Sequence, residues 1–201
     1  PLCESQSIAF ESYFRCPECS LVFKNDSTHL SEFDEEKRYL LHENDRVDKG
    51  YLDFLIKILE PIELINFKDG KILDFGSGPH PILSNYLKDQ GYDVDSFDKY
   101  FSKIDLLGNS YDLILASEVF EHFREPKIEL EHILRLLKRG GLLGIRTKFL
   151  KNHLEYNNWW YKNDPTHIVF YNQETFQFLA KKYLLEIVFS DDDSIVYFKK
   201  N

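Results

Sequence analysis

Methionine is absent from the 201 residues, and cysteine is confined to Cys3, Cys16 and Cys19 near the N-terminus. With no Met anywhere, either an initiator residue has been removed ahead of Pro1 or the chain is cut from a longer one. An odd, clustered trio of cysteines is no disulfide framework. No apolar run approaches the roughly 18 residues of a membrane-spanning helix, and the N-terminus lacks the pattern of a secretory signal, so a cytoplasmic protein is expected. Basic residues are outnumbered, 25 against 34 acidic ones, for a net charge of −9. Phosphate backbones are gripped by Lys and Arg that release counterions, so this balance argues against a nucleic-acid partner. Internal repeats and low-complexity segments are missing as well.

What is present suits one ordinary core with a small appendage: 43% of the residues are hydrophobic. The 17 Phe, 12 Tyr and 2 Trp, 15% of the chain, are rich enough for an aromatic-walled pocket as well as a core. Three segments are expected: a cysteine-bearing knuckle over 1–30, a helical lead-in over 31–70, and an α/β core over 71–201. The charged stretch Ser31 to Lys49 reads as a solvated helix followed by a turn at Asp48-Lys49-Gly50. Tyr51, Leu55, Ile58 and Ile62 recur at helical spacing and predict an amphipathic helix over 51–60, ending near Pro61. Beyond Lys71, short apolar strands alternate with helices. Strands are expected at 71–75, 92–97, 111–116, 142–147, 184–189 and 194–199, with helices after the first, over 127–138 ending at Gly140-Gly141, and over 175–182. Such alternation implies a mostly parallel sheet with helices on both faces. The acidic turn Asp191-Asp192-Asp193 is short enough to close an antiparallel C-terminal hairpin.

Cys16-Pro17-Glu18-Cys19, between Tyr13-Phe14-Arg15 and Leu21-Val22-Phe23, reads as two short strands joined by a thiolate-bearing turn, the knuckle of a zinc ribbon. Cys3 supplies a third sulfur. The fourth ligand is either a Cys immediately ahead of Pro1, which would complete C-x-x-C with Cys3, or His29, since tetrahedral zinc accepts nitrogen and sulfur together. The alternative is three thiols without a metal.

Ile72-Leu73-Asp74-Phe75-Gly76-Ser77-Gly78-Pro79 lies where a strand hands over to a helix. Gly76 and Gly78 allow a tight turn and close approach to a bound nucleoside, and the helix N-terminus offers unpaired N–H groups. Asp98, at the end of the next strand, places a carboxylate where it can accept both hydroxyls of a ribose. A dinucleotide-binding turn would want a third glycine at position 81, which is Pro81 here.

With Tyr111-Asp112-Leu113-Ile114-Leu115-Ala116-Ser117-Glu118-Val119-Phe120-Glu121-His122 and Leu137-Lys138-Arg139-Gly140-Gly141, these segments resemble class I S-adenosylmethionine-dependent methyltransferases from about Lys71 to Lys199. The resemblance implies a Rossmann-like fold with a reversed last strand. It places Asp74, Phe75, Gly76 and Gly78 at the methionine end of S-adenosylmethionine, Asp98 with Lys99 at its ribose, and Ser117 with Glu118 at the transfer centre. His80 stands where many members have a third glycine, and is expected to touch the cofactor or cap the helix. Only twelve residues separate Asp98 from Tyr111, too few for the usual helix and strand, so one sheet strand should be missing and Tyr100, Phe101 or Ile104 should wall the adenine pocket.

Within that superfamily the chain is most similar to the small-molecule branch that includes quinone-ring O-methyltransferases and enzymes with an N-terminal cysteine knuckle. The polar-aromatic segments 39–51 and 159–171 resemble loops of such members and should close over substrate, with Tyr39, His42, Tyr51, Trp160 and Tyr161 as contacts. O- or C-methylation of a small-molecule acceptor follows as the expected reaction. The rivals are an rRNA base methyltransferase with an N-terminal zinc module, disfavoured by the charge of −9, and a non-catalytic methyltransferase-like scaffold. For an oxygen or carbon nucleophile a base is needed, and His167 is the first candidate, His122 the second. Glu118, Glu121 and His122 with His167 also resemble the metal-binding set of small-RNA 2′-O-methyltransferases. The plainer expectation has Glu118 contacting the cofactor, Glu121 solvated, and His122 packed or hydrogen-bonded beneath the site.

Overall fold

The computed structural model describes residues 2–3, 5–10, 12–40, 49–62, 67–102 and 104–201. The N-terminal segment forms three two-residue strands, β1 (Ile8–Ala9), β2 (Phe14–Arg15) and β3 (Val22–Phe23). The Cys16–Cys19 turn joins β2 to β3, with Ser20 at φ 59. Two helices follow, α1 (Glu32–Leu40) and α2 (Lys49–Leu55), the latter tightening into a 3₁₀ turn at Ile56–Leu59 ahead of Pro61. The solvated helix expected from Ser31 is observed as α1, residues 41–48 lie outside the described set, and the turn expected at Asp48-Lys49-Gly50 is not found at Lys49 and Gly50, which form the first turn of α2. Glu35, however, is buried rather than solvated, because Arg124 pairs with it at 2.7 Å.

The core then runs β4 (Lys71–Phe75), α3 (Ile82–Asp89), β5 (Asp93–Phe97), β6 (Tyr111–Ser117), α4 (Pro126–Leu136), β7 (Leu137–Arg146), β8 (Val169–Phe170), α5 (Gln173–Lys182), β9 (Leu185–Ser190) and β10 (Ile195–Lys200). Six strands form one sheet in the order β5-β4-β6-β7-β10-β9. The first four are parallel, and β10 lies antiparallel to both β7 and β9. The segment between Asp98 and Tyr111 contributes one isolated bridge and no strand among the described residues, so β5 is the sheet edge, as the short spacing predicts.

Side chains alternate across the sheet. Ile72, Leu113, Leu115 and Tyr197 pack with Ile58, Leu83 and Leu87 on one face. Leu73, Ile114, Ile145 and Phe198 pack with Leu130, Ile133, Phe176 and Leu179 on the other. Helices therefore cover both faces. The C-terminal hairpin turn is organised by Asp191, whose Oδ1 accepts the amides of Asp193, Ser194 and Ile195.

One boundary differs from expectation. Helix α4 stops at Leu136, not near Gly140, and β7 begins at Leu137, which pairs with Tyr111 before Leu142 pairs with Leu113. Burying Leu137 beside Tyr111 takes it out of the helix, and residues 138–141 bulge from the ladder with Gly140 at φ 76.

A side chain at Gly144, in the middle of β7, would sit 2.6 Å from the Tyr197 ring. That ring is fixed because its hydroxyl donates to the Ile58 carbonyl at 2.6 Å. Gly-to-Ala in a strand normally gains backbone entropy, but here overpacking should dominate. Gly144→Ala is expected to lower unfolding free energy by about 1–3 kcal/mol in urea titration; an unchanged or raised stability would show that the β7–β10 contact is looser than described.

Candidate active site

The carboxyl ends of β4, β5 and β6 converge on one cavity of about 580 Å³, where open α/β sheets bind ligands. Its floor is the turn after β4. Gly76 sits at φ 80, and a Cβ there would collide with Val119 at 2.5 Å. Gly78, at φ 68, faces open space in which a Cβ would meet nothing within 4 Å. The amides of Gly76 and Ser77 both donate to the Phe97 carbonyl. Asp98 locks the turn from the other side: Oδ2 accepts the Gly78 amide at 2.9 Å, and Oδ1 the amides of Tyr100 and Phe101. Asp74 is buried beneath, accepting the Ser84 hydroxyl at 2.7 Å, and desolvation pushes its carboxyl up to about 6. The Ser77 and Ser117 hydroxyls are buried without a partner, and both residues line the cavity. Free donors, an open glycine cradle and a carboxylate at one rim fit a nucleoside with a polar tail.

All eight residues assigned to the cofactor line this cavity: Asp74, Phe75, Gly76 and Gly78 along the turn, Asp98 and Lys99 at the rim, Ser117 and Glu118 at the end of β6. His80 lines it too. The N-cap of α3 is Pro81, so His80 is not the cap. Tyr100 and Phe101 wall the same cavity, whereas Ile104 lines a separate one beside Leu107.

The far wall carries the titratable groups. Glu118 is held at φ 57 by its amide's bond to the Arg146 carbonyl, a conformation that side-chain-bearing residues rarely adopt. Tyr161 Oη lies 2.9 Å from Glu118 Oε2 and 2.6 Å from Glu121 Oε1. Burial and the neighbouring carboxylate push Glu118 up, and burial does the same to Glu121. Glu121 has no exposed surface, which corrects the expectation of a solvated side chain, and its Oε2 has no partner. The 3₁₀ turn Phe120–His122 points it inward to Tyr161.

His122 Nδ1 donates to the Thr166 carbonyl at 2.9 Å, and His167 Nδ1 to the Tyr161 carbonyl at 2.8 Å. Each bond leaves Nε2 with its lone pair. The rings meet edge to face at 4.9 Å, and ligand atoms of Glu121, His122 and His167 lie within 4.8 Å of one another. Desolvation lowers both histidines, His167 to about 4. Both line the cavity, as do Tyr39 and Tyr51.

Other assignments fare differently. Trp160 is 67% exposed and outside the lining, while its neighbour Tyr161 is buried under the wall. His42 lies outside the described residues. Sequence reasoning missed Glu35 and Arg124, which line the cavity as an ion pair with Tyr39 donating to Glu35, and Arg146, stacked on Phe54 with its Nε 3.9 Å from Glu118. A charge closing the apolar run Leu142–Ile145 was the available signal for Arg146.

At the N-terminus the three sulfurs converge: Cys3 Sγ lies 3.0 Å from Cys16 and 3.7 Å from Cys19. The Cys19 amide points at Cys16 Sγ, at 3.5 Å. His29 is not in this group; its Nε2 faces Asp26 at 3.9 Å, because the chain turns away through the 3₁₀ segment Asp26–Thr28.

Comparison with known proteins agrees with this geometry. A family described as a methyltransferase domain matches residues 42–188. Among solved structures, the plantazolicin methyltransferase BpumL in complex with SAH is similar at 17% identity and TM-score 0.58, over 85% of this chain and 92% of that one. A TehB-like SAM-dependent methyltransferase from Corynebacterium glutamicum is similar at 19% identity and TM-score 0.53, over 85% of this chain and 100% of that one. An O-methyltransferase family protein from Burkholderia thailandensis gives 14% identity and TM-score 0.52, over 83% of this chain and 63% of that one. No curated protein is significantly similar. With the family match spanning most of its length and the glycine turn, Asp98 and sheet order arranged as described, the chain belongs to the methyltransferase domain family, with the fold of S-adenosylmethionine-dependent methyltransferases.

Proposed function

We propose that the chain transfers a methyl group from S-adenosylmethionine to an oxygen of a small-molecule acceptor held against Tyr39, Tyr51 and the His122–His167 pair. The observation that carries this is a single cavity running from the Gly76–Gly78 turn and Asp98 to two neutral histidines. The unpartnered Ser77 and Ser117 hydroxyls would hold the methionine end, Asp98 the ribose, and Tyr100 with Phe101 the adenine. The bound cofactor supplies an electrophilic methyl group on a sulfonium. The chain's own residues align the acceptor and exclude water, and such orientation is worth roughly 7–11 kcal/mol of barrier. His167 Nε2, unprotonated and facing the cavity, accepts the hydroxyl proton, with His122 beside it.

A second reading is favoured by the orphaned, buried Glu121 Oε2. Two imidazole nitrogens and a carboxylate suit a divalent cation, which would lower the pKa of a coordinated acceptor hydroxyl. Separately, Cys3, Cys16 and Cys19 would hold a structural zinc. Tetrahedral Zn–S bonds of about 2.3 Å put sulfurs ~3.8 Å apart; the Cys3–Cys19 pair is already at 3.7 Å, and the Cys3–Cys16 pair, at 3.0 Å, would open to admit the ion.

Calorimetry should show saturable binding of both S-adenosylmethionine and S-adenosylhomocysteine. Gly78→Val, which fills the open cradle, and Asp98→Ala should each weaken it at least tenfold, and wild-type protein that binds neither molecule would end the methyl-transfer reading. Imidazole nitrogen NMR provides a pH test. Because His167 is lowered to about 4 by burial, it should remain the neutral Nδ1–H tautomer at pH 6, where an unperturbed histidine of pKa about 6.5 is mostly protonated. Protonation centred near 6.5 would contradict the buried geometry. Mn²⁺, which prefers oxygen and nitrogen over sulfur ligands, should bind with about 1:1 stoichiometry and be lost in Glu121→Gln; the absence of any saturable site would leave proton transfer to His167 alone.

A further inference from the structure

Resting on the reading of the cavity as the methyl-transfer site, we propose that Cys3, Cys16 and Cys19 form a zinc centre that positions the acceptor side of that site: zinc fixes β3, and β3 holds the 160–168 segment that aims both histidines.

The N-terminal unit is built into the core. Strand β3 continues through β8 into a four-stranded sheet, with Val22 paired to Phe170 and Phe23 to Val169. Just past β3, the Lys24 amide donates to the Ile168 carbonyl at 2.9 Å. The Lys24 ammonium reaches back under the segment and donates to the carbonyls of Lys162 at 2.8 Å and Asp164 at 3.1 Å. From the knuckle itself, the Ser20 carbonyl accepts the Asn172 side-chain amide at 2.8 Å.

On its other side the same segment faces the cavity. Its carbonyls at Tyr161 and Thr166 are the two acceptors that fix the histidine tautomers, and the Ile168 amide donates to the Glu121 carbonyl at 2.8 Å. The segment is thus clamped between β3 and the 3₁₀ turn that follows β6. Strands of two residues have little stability of their own, so β2 and β3 need their turn fixed from outside. Three buried sulfurs within 4.8 Å of one another, one of them receiving a backbone amide, provide that when a cation draws them together. The cofactor side has no such dependence, because the glycine turn is tied to Phe97 and Asp98.

The test compares wild type, a Cys16→Ser/Cys19→Ser double variant and Lys24→Met. Zinc is counted by atomic emission, and the segment is followed by amide hydrogen exchange over 160–170 and by tryptophan emission, since Trp159 and Trp160 are the chain's only tryptophans. Wild type should carry about one zinc per chain. The double variant should lose it, exchange at least tenfold faster over 160–170, show red-shifted emission, and bind S-adenosylhomocysteine within threefold of wild type. Lys24→Met should keep its zinc yet reproduce the faster exchange and shift the imidazole nitrogen signals of His122 and His167, with Lys24→Arg restoring them. This also decides the matter if the double variant does not fold. Wild type without zinc after zinc reconstitution, or Lys24→Met with exchange and histidine signals unchanged, overturns the proposal. Failure of wild type to bind S-adenosylhomocysteine would instead count against the methyl-transfer reading, and the zinc and exchange comparisons would still stand.

Discussion

The Tyr161 hydroxyl between Glu118 and Glu121 is the contact on which the site depends. Glu121 is fully buried and Glu118 partly so, and desolvation pushes both carboxyl groups up. A phenol has one hydrogen to give, so it cannot donate fully to two carboxylates 2.9 and 2.6 Å away. The arrangement is satisfied when one carboxyl group keeps its own proton and the pair carries a single negative charge. That charge lies at the wall facing the space where a sulfonium would enter, and Arg146 stands behind it at 3.9 Å from Glu118. The same hydroxyl ties the end of β6 to the aromatic segment, so cavity shape and cavity charge are set together.

From this contact the rest follows outward. Tyr161 brings its own carbonyl into reach of His167, and Thr166 does the same for His122. The back of the segment leans on β3 and Lys24, so the cysteine-bearing unit braces the wall that carries the two histidines. On the opposite rim, α1 is drawn over the cavity by Glu35–Arg124 and Glu32–Lys99, and Tyr39 is held there by Glu35. The chain's aromatic excess accordingly divides between sheet faces and cavity walls.

The features legible in the sequence were those set by local chemistry. Gly76 and Gly78 need left-handed φ within one turn, Asp98 follows directly on a strand, and twelve residues after it cannot hold a helix and a strand; each is decided within a few positions. Glu35–Arg124 is decided by packing across 89 positions and Tyr161–Glu118 across 43, so neither leaves a local trace. Trp160 and Tyr161 show the limit well. Both read as aromatic pocket residues, but one 3₁₀ turn sends Trp160 to solvent and Tyr161 inward. The α4–β7 junction was misplaced for a similar reason: Leu137 continues the helical spacing, and only its pairing with Tyr111 makes it a strand residue.

The most direct test of the account is a crystal structure of the protein with S-adenosylhomocysteine bound. The account predicts the ribose hydroxyls on Asp98, the amino-acid end over the Gly76–Gly78 turn, and the sulfur directed across the cavity toward Glu118 and the His122–His167 pair. A ligand bound with its sulfur turned away from that wall, or seated in the separate cavity beside Ile104 and Leu107, would contradict it.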